Sequence, residues 1–213
     1  ISEKLKFNSL KEVIEDFFGE SMAVRLAKED RLADLMLANN VLAHVPDIND
    51  FVKGFSILLK SQGVATFEFP HLLNLLKFTQ FDTIYHEHYS YLSLTAVESI
   101  FKTNGLSIFD VEELTTHGGS LRIFVQHSDS GKNQLSPTVK TLKNKEKLAG
   151  VNTLEYYNDF QYKVEKVKID FLYFLIQAKK NGKKIIAYGA AAKGNTMMNF
   201  AGIHNDLIDF IVD

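Results

Sequence analysis

"LADLMLANNVLAHVPDINDFVKGFSILLKSQGVATFEFP", residues 32–70, is the stretch that decides the fold. Its first part predicts a short buried strand from Ala33 to Ala38, ending in polar residues. Apolar residues three and four apart then predict a helix over 48–60 that closes near Gly63. A second strand follows and ends at Pro70. Strand, helix and strand at this spacing indicate a βαβ unit with a right-handed crossover in a mostly parallel sheet.

The sequence on both sides extends this α/β pattern. Helical spacing runs from Leu5 to Lys28, with Gly19 as a plausible stop. Capping-box spacing over 95–98 predicts a helix that stops at 104–105. Two strands, 106–114 and 120–128, have a connection too short for a crossover helix, so we expect them to pair antiparallel. A parallel sheet finished by such a pair is typical of the C-terminal half of a methyltransferase-type α/β domain, although other α/β folds also contain one.

A second unit is predicted beyond a polar loop. Residues 127–137 are rich in Ser, Gly and Asn and indicate a domain boundary. Apolar residues from Val151 to Ala178 then predict one long amphipathic helix, whose stripe we expect to be buried against the following sheet. A strand, a glycine-containing turn and a helix follow over 183–203, and a further strand over 207–213. We therefore divide the chain into residues 1–130 and a partial α/β domain over 138–213.

Composition excludes several classes of function. The 213 residues are 46% hydrophobic, with 24 basic and 26 acidic residues, and the net charge of −2 argues against a nucleic-acid partner. No apolar stretch reaches the roughly 18 residues of a membrane span, and the first residues lack the pattern of a signal peptide. These features predict a cytoplasmic protein without a membrane partner. The absence of cysteine excludes disulfides and cysteine-based zinc sites within this chain.

The stretch "IYHEHYSYLS", residues 84–93, concentrates side chains that perform chemistry. A metal site would need a third ligand, and His44 or His117 supplies one only if the tertiary fold brings it close. A solvated loop would seldom carry so many tyrosines and aliphatic residues. Because the stretch follows a strand closely, we expect it at the carboxyl edge of the sheet, where open α/β folds bind ligands. The leading interpretation is an acid–base centre in a half-buried pocket.

Two glycine-containing turns are less specific. "YGAAAKGNT", residues 188–196, marks a strand-to-helix turn that favours an anion, yet it matches neither a dinucleotide fingerprint nor a Walker sequence. Lys193 and Asn195 either meet a phosphate or sugar there or belong to a plain turn. Residues 118–119 favour a simple hairpin connection over a ligand contact, and the role of His117 beside them stays open.

Five motifs together resemble one family across nearly the whole chain. "NNVLAHVPD", "FEFPHLLNLL", "FDTIYHEHYSYLSL", "HGGSLRIFV" and "YGAAAKGNT" are similar, in this order, to S-adenosylmethionine-dependent sugar C-methyltransferases. That family methylates carbon 3 of nucleotide-linked 4-keto sugars. The resemblance implies a Rossmann-like class I methyltransferase domain and a C-terminal domain that helps hold the nucleotide sugar. It also implies site residues, with His88 as general base, Tyr85 and Glu87 beside it, His44 in the pocket, Asn39 and Asn40 on the cofactor wall, and Lys193, Asn195 and His117 near the substrate.

Two departures from the family pattern limit this expectation. Without cysteine the family's zinc domain is absent from the chain, so we expect no metal here. Without any Gly-x-Gly the glycine-rich cofactor loop is absent too, so residues 1–130 resemble the second half of the methyltransferase domain. The cofactor remains S-adenosylmethionine, and a fragment of this kind could be inactive alone. Alternatives are a non-catalytic nucleotide-sugar-binding module or an NAD-dependent oxidoreductase; the sugar, the nucleotide, the methylated face and the oligomeric state stay open.

Overall fold

The computed structural model describes residues 12–213. Short 3-10 turns at Leu42–His44, Phe81–Thr83, Thr116–Gly118 and Leu154–Tyr157 join longer elements. The helices are α1 Glu20–Lys28, α2 Ile48–Leu58, α3 Leu72–Lys77, α4 Leu94–Thr103, α5 Pro137–Ala149, α6 Phe160–Lys180 and α7 Ala192–Ala201. The strands are β1 Ala33–Asn39, β2 Leu59–Pro70, β3 Leu106–Leu114, β4 Ser120–His127, β5 Ile186–Tyr188 and β6 Phe210–Val212.

The first four strands form one mixed sheet in the order β1-β2-β4-β3. β1 pairs parallel with β2 across α2, which confirms the βαβ unit. β4 pairs antiparallel with both β2 and β3, which confirms the antiparallel pair. The sheet is therefore less parallel than the sequence predicts, because only its β1–β2 pair runs parallel.

The core of this sheet lies around β2, which is buried on both faces over residues 65–69. Phe67 is fully buried, and its ring lies 4.5 Å from that of Phe55 on α2 and 4.7 Å from that of Phe101 on α4. Val139 and Leu142 of α5 belong to the same hydrophobic core. This core therefore includes residues of α5, which follows the predicted boundary loop. The loop separates β4 from α5 in sequence, but both elements pack in the same core.

Three predicted helix ends are wrong. For the predicted helix from Leu5, residues 5–11 lie outside the described part, residues 12–18 are not helical, and Gly19 precedes α1 as its N-cap. α2 ends at Leu58, before Gly63, because β2 follows it without a loop. α4 is capped by Ser93, whose Oγ accepts the Ala96 N–H at 3.1 Å, so the cap lies before the predicted box.

The predicted long helix is also shorter, and its stripe is only partly buried. α6 begins at Phe160, after a separate 3-10 turn, and its buried residues are Val164 and Leu175. Phe174 of the stripe is 65% exposed, whereas Phe160, Val167, Phe171 and Ala178 are half-buried, so the predicted burial is only partial. β5 and β6 are three residues each, and two such short strands cannot cover a 21-residue helix about 30 Å long. No helix within residues 12–213, α6 included, is both long and apolar enough to cross a bilayer.

Candidate active site

A cleft opens at the carboxyl ends of β1 and β2, as predicted for an open α/β sheet. Asn40 follows β1, His44 ends the next 3-10 turn, and Pro70 ends β2. The stretch 84–93 closes the cleft from the side of β2. The residues that line it are Asn40, Ala43, His44, Pro70, Thr83, Tyr85, His88, His117 and Lys193.

His88 lies at the centre of an aromatic group in this cleft. Its ring centroid is 4.5 Å from that of Tyr85 and 4.7 Å from that of His44. The Tyr91 ring packs edge-on at 6.0 Å. His88 is half-buried, so its imidazole is both supported by neighbouring rings and open to a ligand.

A backbone carbonyl sets the tautomer of His88. Nδ1 of His88 lies 2.6 Å from the Thr83 carbonyl oxygen, which accepts hydrogen bonds and cannot donate them. Nδ1 must therefore carry the hydrogen. In the neutral imidazole this leaves Nε2 with a free lone pair, the form that a general base requires.

The loop that carries His88 docks on the turn that carries His44. The backbone N–H groups of Tyr89 and Ser90 donate to the Ala43 carbonyl at 2.8 Å and 3.3 Å. The loop forms a turn over 86–87 and not an extended strand. This docking explains why the two imidazoles meet although 44 and 88 are far apart in sequence.

The phenol of Tyr85 is suited to donate a hydrogen bond. Burial raises the pKa of Tyr85, and the carboxylates of Glu87 and Asp82 raise it further. The pKa of Tyr91 is also raised, chiefly by burial. Both hydroxyls therefore keep their proton at neutral pH and can face an oxygen that gains negative charge.

His86 and Glu87 lie beside a second cleft, which His88 and Tyr85 also line. His86 and Glu87 are exposed, and they line this adjoining cleft together with Asn195 and Phe200. A carboxylate beside a histidine can orient its imidazole, but the partner of His88 Nδ1 is the Thr83 carbonyl and not Glu87. Thr83 could not be found by motif, because it acts through its backbone.

His117 and Lys193 form the far wall of the cleft. His117 has a positive φ of 53°, and the glycines after it have φ of 82° and 115°, as a tight hairpin connection requires. The turn is held by Thr116, whose hydroxyl donates to Glu68 at 3.0 Å. Lys193 enters from the first turn of α7 and is half-buried. Two parts of the chain far apart in sequence thus meet at one cleft.

Asn40 and Asn39 occupy different environments. Asn40 has a φ of 54°, and its N–H donates to the Glu68 carbonyl at 2.8 Å. Its Oδ1 is buried and has no partner among residues 12–213. Such an orphaned acceptor beside an open cleft fits a ligand that brings a donor. Asn39 lies within β1 with an exposed side chain and does not line the cleft.

The structure therefore brings most of the predicted site residues together. His88, Tyr85, His44, Asn40, His117 and Lys193 line the cleft at the strand ends. His88 and Tyr85 also line the adjoining cleft with Glu87 and Asn195, and Asn39 lines neither. Within residues 12–213, no three His, Cys, Asp or Glu side chains are grouped so that they could hold a metal ion. The roles of these residues remain predictions.

Comparison with known proteins identifies the two parts of the chain. Residues 8–111 match a methyltransferase domain family, and residues 115–213 match the C-methyltransferase C-terminal domain family. The C-methyltransferase NovU of Streptomyces niveus is 32% identical over 202 residues, which are 95% of this chain and 48% of that protein. The chain thus spans about half the length of this curated relative.

The matching solved structures are more distant. A magnesium protoporphyrin IX methyltransferase from Synechocystis, solved with bound SAH, is 17% identical over 46% of each chain, with a TM-score of 0.36. An S-adenosylmethionine-dependent methyltransferase from Clostridium acetobutylicum is 14% identical over 46% of this chain and 59% of its own, with a TM-score of 0.37. The two domain matches and the curated relative together show that the chain belongs to the C-methyltransferase family.

Proposed function

We propose that the protein is an S-adenosylmethionine-dependent C-methyltransferase whose acceptor is a nucleotide-linked keto sugar. In this proposal His88 removes a proton from the carbon next to the ketone. The observation that carries it is the 2.6 Å contact between His88 Nδ1 and the Thr83 carbonyl, which leaves Nε2 as the free base. Membership of the C-methyltransferase family supports the reaction class.

The chemistry follows from the acidity of a hydrogen next to a ketone. Removing it breaks a C–H bond, moves the proton to His88 Nε2 and leaves an enolate. The Thr83 carbonyl then accepts from the Nδ1–H of an imidazolium, which stabilises the charge that His88 gains. Tyr85, protonated at neutral pH, donates to the enolate oxygen.

The cofactor would contact this chain at Asn40. Its buried, unpartnered Oδ1 at the end of β1 is an acceptor for a ligand donor. When bound, S-adenosylmethionine supplies an activated methyl group on a sulfonium for the nucleophilic carbon. The 213 residues hold no Gly-x-Gly, so we infer that the glycine-rich cofactor loop is not contributed by this chain.

The nucleotide part of the acceptor carries negative charge, and the α7 end of the cleft suits it. Lys193 lies in the first turn of α7, where the helix dipole also favours an anion. Asn195 is exposed on the same helix and lines the adjoining cleft. We therefore assign Lys193, Asn195 and His117 to the nucleotide sugar, beyond the reacting ring.

The test uses the longest natural form of the protein. It is incubated with methyl-labelled S-adenosylmethionine and a nucleoside diphosphate 4-keto sugar, and the product is analysed by NMR. A label on carbon next to the ketone supports the proposal. A label on oxygen or nitrogen would contradict it, and binding of the sugar without any transfer would favour a binding module instead.

A further inference from the structure

A fully buried carboxylate lies behind the active-site loop. Glu146 of α5 has no exposed surface, and its Oε1 lies 2.8 Å from Nε2 of His71, which is also buried. The Leu94 N–H donates to the same oxygen at 2.6 Å. The backbone and hydroxyl of Thr95 donate to Oε2 at 2.9 Å and 2.6 Å. Four donors from two other parts of the chain thus converge on one carboxylate.

These bonds keep the carboxylate ionised. Burial alone raises the pKa of Glu146, but hydrogen bonds from His71, Thr95 and Leu94 outweigh it and lower the pKa below its usual value. The carboxylate also closes the N-terminus of α4, where negative charge is favoured. It therefore accepts all four bonds at neutral pH.

His71 connects this carboxylate to both sides of the cleft. It follows Pro70 at the end of β2, and its backbone N–H donates to the Gly119 carbonyl at 3.0 Å, in the turn that carries His117. It also forms a bridge with Leu92, which the 2.9 Å bond from the Leu72 N–H to the Leu92 carbonyl reinforces. The stretch 84–93 is therefore held at its far end by the same residue.

The arrangement carries costs that a purely structural contact would avoid. A fully buried charge is expensive, and apolar packing of the same volume is often as stable or more stable. Nδ1 of His71 is buried without a partner among residues 12–213, which adds a further penalty. Local violations of this kind are most often found at functional sites.

We propose that Glu146 is a positioning residue for His88. By holding His71 and the first turn of α4, it fixes the end of the loop that carries His88 and links the C-terminal part of the chain to the base. The inference rests on the proposed function. It adds a residue that no motif indicates and that touches neither substrate nor cofactor.

The test compares Glu146→Gln with Val139→Ala. Val139 lies on the same helix, is 1% exposed and belongs to the core, but its side chain donates no hydrogen bond to Glu146. Both variants should be less stable than the wild type. Only Glu146→Gln should lower kcat for exchange of the substrate's α-proton, by about tenfold to a hundredfold per folded molecule, with KM changed less than about threefold.

A milder variant covers the case in which Glu146→Gln does not fold. Thr95→Ala removes one donor and leaves the carboxylate in place. It should lower the same kcat by about threefold to tenfold, since one of four bonds is lost. A wild-type kcat per folded molecule in both Thr95→Ala and Glu146→Gln, or an equal loss in Val139→Ala, would overturn the positioning role.

A second readout separates this inference from the proposed function. The N–H of Tyr89 donates to the Ala43 carbonyl, so its amide hydrogen exchange reports whether the loop that carries His88 stays docked, without any substrate. Its protection should fall about tenfold in Glu146→Gln and stay unchanged in Val139→Ala. If the wild type exchanges no substrate proton, the proposed function fails, and the Tyr89 protection alone then supports or overturns the link from Glu146 to the loop.

Discussion

Replacing Arg122 with methionine tests its ion pair with Glu68, which also contacts the turn that carries His117. Arg122 on β4 lies opposite Glu68 on β2, with its Nη2 2.8 Å from Glu68 Oε2. Its Nη1 is 3.5 Å from Glu112 Oε2 on β3. Glu68 is only 5% exposed, and its other oxygen accepts the Thr116 hydroxyl in the turn that carries His117.

The expected loss follows from the burial of the two partners. Arg122→Met leaves the Glu68 carboxylate with Thr116 as its remaining side-chain partner. Breaking a fully buried ion pair costs about 3–5 kcal/mol. Because the Arg122 side chain is 35% exposed, water replaces part of the lost interaction, and we expect about 1–3 kcal/mol. For a chain of this size, that lowers Tm by about 2–12 °C.

The loss should depend on pH in a defined direction. In the wild type, burial raises the pKa of Glu68, but the bonds from Arg122 and Thr116 outweigh it and hold the pKa below the usual 4.5. This stabilisation is present above the unfolded pKa and is lost as pH falls through the lowered folded pKa. In Arg122→Met, burial acts without the cation and raises the pKa, so protonation relieves the cost as pH falls. The difference between the two proteins therefore shrinks in acid.

Urea denaturation at about pH 7.5 and about pH 4.5 measures this difference. Glu112→Gln is the matched control, since its carboxylate is 51% exposed and should contribute less than about 0.5 kcal/mol. An equal loss for Arg122→Met at both pH values would refute the reasoning, as would a loss of the same size in Glu112→Gln.

Three further predictions concern the site and its turns. Tyr85→Phe keeps the ring beside His88 but removes the donor, so kcat for α-proton exchange should fall by about 10²–10³ in steady-state assays, with KM nearly unchanged. Gly119→Ala places a side chain at a φ of 115° and against Asn74, so thermal unfolding should show a loss of stability of about 1–3 kcal/mol. The control Gly194→Ala has an ordinary φ and free space, so its stability should be unchanged or higher. Lys193→Met should weaken binding of a nucleoside diphosphate by about tenfold in calorimetry, whereas Lys183→Met, outside the cleft, should not.

Local patterns predicted the strands with continuous apolar runs, but the predicted burial of β1 is wrong, because Leu35 and Leu37 on this edge strand are 58% and 66% exposed. β1 and the second half of β2 are apolar and were found, but the start of β2 was missed because Lys60, Ser61 and Gln62 are polar and exposed. The burial of the α6 stripe is only partial, for a different reason. Its apolar spacing is real, yet nothing in the sequence states how much surface the following sheet offers to cover it.

The sequence predicts the site residues that act through their side chains. It misses a residue that acts through its backbone and a contact between residues that are distant in sequence. The place of residues 84–93 follows from the rule that ligands bind at the carboxyl edge of an open sheet. The Thr83 carbonyl that sets the tautomer of His88 has no side-chain signature. Glu146 and His71 are 75 residues apart in sequence, and their contact exists only in the folded chain.

The central claim is that His88 is the base that removes the substrate's α-proton. The most direct measurement is the incorporation of solvent deuterium into a nucleoside diphosphate 4-keto sugar, followed by NMR in the absence of a methyl donor. The wild type should exchange the hydrogen next to the ketone, and His88→Gln should lose about 10²–10⁴-fold in rate while still binding the sugar. Exchange at the wild-type rate in His88→Gln would contradict the claim.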